Sequence, residues 1–157
     1  MKKSIPLLIL VATACVKPDD PTATPTLPGS CGSDGHRMEL TVDDADWCAN
    51  ANLAAIASPD GELIVNGLAL TGQLFGLQID SLGVGEFPID EMHNAVVWSE
   101  AGTTFTSTNG DPGTLHITTF DAADHTLTGD LHVVVSDAEN PSSREIDATF
   151  ELTYSVE

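Results

Sequence analysis

From residue 36 onward the chain alternates apolar and polar side chains with a period of two, and turn-forming residues interrupt the alternation every few positions. Such a pattern predicts half-buried strands, because successive side chains of a strand point to opposite faces. Met38, Leu40 and Val42 alternate with Glu39 and Thr41, and Asp43-Asp44-Ala45-Asp46 then turns the chain. Leu63-Ile64-Val65 follows the turn signal Ser58-Pro59-Asp60-Gly61, and Phe75, Leu77 and Ile79 alternate with Gly76, Gln78 and Asp80. Pro88 between Phe87 and Ile89 cannot donate to a ladder, so that run predicts an edge strand or a strand start. Residues 95–99 and 103–108 are short β-rich runs, followed by a loop at residues 109–113.

The last third is the most regular. Leu115, Ile117 and Thr119 are expected on one face, residues 121–124 in a turn, and Leu127, Leu131, Val133 and Val135 on a returning strand. A loop at residues 137–143 leads to a long final strand carrying Ile146, Ala148, Phe150, Leu152 and Tyr154 inward. One segment reads two ways. Residues 45–57 are alanine-rich behind Asp43-Asp44, which could cap a helix, but the hairpin signal after them favours a strand at residues 53–57. The expected fold is therefore all-β, an antiparallel β-sandwich or flattened β-barrel of about 8–10 strands in one domain, residues 36–157.

The residues before this domain read as an address. Met1-Lys2-Lys3-Ser4, an apolar run over residues 5–14 and small residues before Cys15 have the build of a secretory signal. The run is too short for a transmembrane helix, which needs about 20 residues. Ala12-Thr13-Ala14-Cys15 resembles a bacterial lipobox, so residues 1–14 are expected to be cleaved and Cys15 to carry lipid. Each buried methylene contributes about 0.8 kcal/mol, so two or more chains anchor stably. Residues 15–35 hold Pro18, Pro21, Pro25 and Pro28 among Thr, Asp, Gly and Ser, the composition of an extended tether. Val16 and Lys17 stand after Cys15 where the enterobacterial sorting rule places Asp for retention in the inner membrane, which by analogy favours the outer membrane of the cell envelope. With Cys15 assigned to lipid, Cys31 and Cys48 are an even pair in an oxidising compartment, and a disulfide is expected.

Charge narrows the partners. Beyond Cys15 the basic residues are Lys17, Arg37 and Arg144, so three cations face all 24 acidic residues, a formal charge of −21. Such a surface repels nucleic acid and anionic lipid and suits divalent cations, basic partners or a high-salt habitat.

Several of these features recur together. Trp47, Asn66-Gly67, Gly85-Glu86-Phe87-Pro88-Ile89, Val97-Trp98, Leu115-His116-Ile117-Thr118-Thr119-Phe120-Asp121, Thr128-Gly129-Asp130-Leu131 and Phe150-Glu151-Leu152-Thr153-Tyr154 follow one another in that order. The series resembles a family of small bacterial lipoproteins with a C-terminal β domain of unknown function, over residues 38–156. The resemblance implies a fold and an address and carries over no catalytic residue.

Candidate chemistry is sparse. Asp43, Asp44 and Asp46 are weak Ca²⁺ candidates, lacking the spacing and the glutamate of an EF-hand loop. Residues 109–111 and 121–124 carry the same signal, which turn chemistry also explains. His116 and His132 fall on the polar faces of adjacent strands and would stand opposite one another if Ile117 paired with Leu131. Trp47, Trp98 and Tyr154 could stack on a sugar ring or fill the core. The sequence has no Gly-x-Ser-x-Gly, phosphate loop, dinucleotide fingerprint or His-Glu-x-x-His. No cofactor or catalytic residue is assigned. The expected role is a non-enzymatic binding or interaction module for a protein or small molecule; a sugar- or lipid-binding β-barrel is the alternative, and a hydrolase fits less well.

Overall fold

A computed structural model describes residues 31–33 and 35–157. The signal segment, Cys15 and most of the tether lie outside the described residues. The described residues form thirteen strands, beginning with β1 (Gly32–Ser33), β2 (His36–Val42), β3 (Ala45–Cys48) and β4 (Asn52–Ala57). There follow β5 (Leu63–Leu68), β6 (Leu74–Ile79), β7 (Gly85–Ile89), β8 (Ala95–Glu100) and β9 (Thr103–Thr106). After a single 3-10 turn at Ser107–Asn109 come β10 (Gly113–Asp121), β11 (Thr126–Asp137), β12 (Ser143–Thr153) and β13 (Ser155–Val156). The fold is all-β, and among the described residues no helix is long and apolar enough to cross a membrane.

The strand pair β11–β12 organises the molecule. It is antiparallel and in continuous register from Thr126 opposite Thr153 to Ser136 opposite Ser143. On its other edge β11 serves two partners: β10 along residues 126–132, and β9 at Ser136 and Asp137. The sheet therefore divides into two leaves, β3-β2-β12-β11-β10-β7, with β1 also paired to β2, and β9-β8-β6-β5-β4-β13. Beyond Tyr154 the chain crosses from the first leaf to the second, where β13 pairs parallel with β4. The two crossings lie at opposite ends of β12, which gives a sandwich that is not closed into a barrel.

The inner faces meet in one apolar cluster. Ile146, Phe150, Leu152, Leu127, Val133 and Val135 of the first leaf face Leu63, Val65, Phe75, Leu77, Ile79, Val96, Trp98 and Phe105 of the second. Each side chain of this size removed from water contributes about 1.5–3 kcal/mol.

Residues 45–57 contain no helix. Asp43 and Asp44 both have positive φ, 49° and 65°, and form a two-residue hairpin turn between Val42 and Ala45. Turns of this type match the twist of the strands and favour Asn, Asp and Gly. Here the local turn geometry of the aspartates prevails over the helix propensity of the alanines behind them, and Ala45 opens β3. Cys31 and Cys48 form the expected disulfide, with Cα atoms 4.9 Å apart. Gly32 and Ser33 pair with Arg37 and His36, so the end of the segment read as tether is itself strand. Pro88 sits on an edge, since β7 pairs only with β10.

One expectation about facing fails at Thr118. The register between β10 and β11 shifts there, from Ile117 opposite Gly129 to Thr119 opposite Thr128. This bulge turns Thr119 outward and brings Phe120 to the core side, packed against the cluster. Gly129 is where the bulge and the inward-facing Phe150 crowd together. A Cβ at Gly129 would lie 2.3 Å from the His116 carbonyl oxygen and 2.7 Å from the Phe150 ring. Gly129→Ala is accordingly expected to destabilise the domain by about 1–3 kcal/mol, read as a lower urea midpoint; an unchanged midpoint would refute the crowding.

Candidate functional site

The outward face of the first leaf carries most of the polar chemistry. Thr41, Asp147, His132 and Thr114 form one row across β2, β12, β11 and β10; Glu39, Thr149, Asp130 and His116 form the next. Beside these rows stand β3 and the turn between β5 and β6, fixed by Asn50, whose Oδ1 accepts the Leu70 N–H at 2.8 Å. Together they enclose an open groove of about 890 Å³. Its floor is Glu39, Thr41, Asp130, His132, Asp147 and Thr149, and its wall includes Asp46, Trp47, Thr71 and Gln73. The groove is acidic, and the disulfide of Cys31 and Cys48 lies at its rim. Trp47 is partly buried there, its ring edge-on to Trp98 at 5.4 Å and its indole N–H buried without a partner.

Three ligand-type side chains converge beside the groove. His132 Nδ1 is 2.8 Å from Asp147 Oδ1, and His132 Nε2 is 3.9 Å from Glu145 Oε1. One ligand atom from each of the three lies within 4.8 Å of the others. The signal for this cluster was present in the alternation of β12, which puts Glu145 and Asp147 on its polar face. It emerges only when β12 is laid against β11, whereas the histidine pattern suggests β10 as the partner.

The two histidines do not stand opposite one another. His116 pairs with Asp130, its Nδ1 3.2 Å from Oδ2, and His132 lies opposite Thr114 on that side. A four-residue turn over residues 122–125, ending on His125 at φ 53°, sets Asp121 opposite Thr126; with the bulge it fixes Leu115, not Ile117, opposite Leu131.

The acidic turns have structural employment. Asp43 accepts the Glu145 N–H at 3.0 Å and sits 3.5 Å from Arg144 Nε, while Asp46 faces the groove. Among the described residues, convergent metal-type ligand atoms occur at His132, Glu145 and Asp147. Asp121 Oδ1 accepts the backbone N–H groups of Asp124 and Ala123, which hold its carboxyl below the usual range. Burial, and then the charge of Asp121, push the Tyr154 hydroxyl up. Tyr154 and Trp98 are buried, and of the three candidate stacking aromatics Trp47 alone lines the groove.

Protein families, characterised proteins and solved structures offer no match to this chain.

Proposed function

We propose that this chain is a lipid-anchored protein of the cell envelope, held by Cys15 at the outer membrane, and that its β domain is a non-enzymatic binding module. The groove on the outer face of the first leaf is its binding surface. The observation that carries this reading is the contrast between a filled interior and an open, acidic exterior groove. A sugar- or lipid-binding barrel would need internal space, and here Phe75, Trp98 and Phe105 occupy it. The groove has the size of a small-ligand site and offers four carboxylates, from Glu39, Asp46, Asp130 and Asp147, to a basic peptide segment or small cationic ligand. A two-leaf scaffold anchored through lipid on Cys15 would present that surface to partners within reach of the membrane.

Photo-crosslinking side chains introduced in cells test this directly. From Thr149, on the groove floor, discrete adducts are expected; from Gln78, exposed on the second leaf, they are not. Identical adduct patterns from the two positions, or adducts from Gln78 alone, would contradict the groove as the binding surface.

A further inference from the structure

We propose that His132, Glu145 and Asp147 form a binding site for one divalent transition-metal ion of the Zn²⁺ class. The proposal stands apart from the groove's occupant, because its ligands are these three side chains. All three project from the outward face of β11 and β12. His132 and Asp147 are direct cross-strand partners, and Glu145 is two residues from Asp147 on the same face. Opposed side chains of a strand pair have Cβ atoms about 4.5–5.5 Å apart, the span a single ion bridges. The eleven consecutive residue pairs of this ladder, Thr126–Thr153 to Ser136–Ser143, fix that spacing. The ligand atoms already lie within 4.8 Å of one another. Asp147 stands nearest His132 Nδ1 and Glu145 nearest Nε2, so rotation of the imidazole and the two carboxylates brings one nitrogen and two oxygens around a single ion at metal–ligand distances of about 2.0–2.2 Å.

The donor set selects the ion. One imidazole and two carboxylates suit a borderline cation such as Zn²⁺, whereas Ca²⁺ and Mg²⁺ take oxygen ligands and gain little from a histidine. Three protein ligands leave a tetrahedral site one position short, and the side chains of His132 and Asp147 border the groove, so that position is open to water or a groove-bound ligand. The surrounding charge favours a cation, with Asp130 and Asp46 lining the same groove. Arg144 does not compete, because it is held at Glu100 with its guanidinium over the Phe105 ring at 4.8 Å. Asp43 and Asp44, by contrast, are spent on a hairpin turn and offer no imidazole.

The test is a Zn²⁺ titration of the full chain in detergent, followed by calorimetry. Cys15→Ala removes the one cysteine outside the disulfide as a competing ligand. Saturable binding of one Zn²⁺ per chain is expected, with chemical-shift changes at the His132 ring. His132→Ala and Asp147→Asn should each weaken binding at least tenfold. Both residues are more than half exposed, at 54% and 61%, so the variants should melt like the parent. His116→Ala, on the same face but outside the cluster, should bind as the parent does. Ca²⁺ at equal concentration should not displace Zn²⁺. Absence of Zn²⁺ binding, affinity unchanged by His132→Ala, an equal loss in His116→Ala, or displacement by Ca²⁺ would overturn the site.

Discussion

Trp98→Ala is expected to destabilise the domain by about 3–5 kcal/mol, the range for removing a large aromatic from a packed core. Trp98 is 1% exposed and sits at the centre of β8, with Phe75 of β6 on one side and Phe105 of β9 on the other. Its ring meets Trp47 edge-on, so truncation also releases the aromatic that lines the groove. Its indole N–H has no hydrogen-bond partner. The loss is therefore one of packing, and Trp98→Phe should retain much of the stability. Domains of this kind are stable by about 5–15 kcal/mol in total, so Trp98→Ala should unfold at markedly lower urea and leave the groove loosened. A shift equivalent to under about 1 kcal/mol would mean that the two leaves do not share the core described.

Much of this architecture is legible along the chain, because strand alternation is a local property. The inward sets Leu127, Leu131, Val133, Val135 and Ile146, Ala148, Phe150, Leu152 can be read residue by residue, and each is buried. Pro88 announces an edge, and Cys31 and Cys48 announce a staple. What local reading does not supply is partnership. Nothing in Ser136 and Asp137 tells that β11 leaves β10 for β9 at its end, since that switch follows from how the two leaves pack. The bulge at Thr118 is equally silent: Thr119 is spaced as an inward residue, and only the register against Gly129 and Thr128 turns it out.

The candidate site was legible in half. His132 stands out as a histidine on a polar face, but its partners depend on which strand lies beside it and on the exact turn length. A shift of two residues moves an imidazole from one neighbour to the next. The acidic turn at Asp43-Asp44 invites a cation reading from composition alone, and its positive φ angles give it a different purpose. Acidity in this chain is so common that a carboxylate becomes informative only once something other than a carboxylate stands against it.

The proposed lipid attachment at Cys15 would decide where the domain works and what can reach its groove. The direct measurement is metabolic labelling with a fatty acid, combined with partition between detergent and aqueous phases, for the wild-type chain and Cys15→Ala. The wild type should carry the label and partition entirely into detergent, since two or more acyl chains make release from a membrane negligible. Cys15→Ala should carry no label and should either keep its leader or appear in the aqueous phase. Label persisting in Cys15→Ala, or a wild-type chain that is unlabelled and fully aqueous, would contradict the anchor and with it the placement of this domain at the envelope.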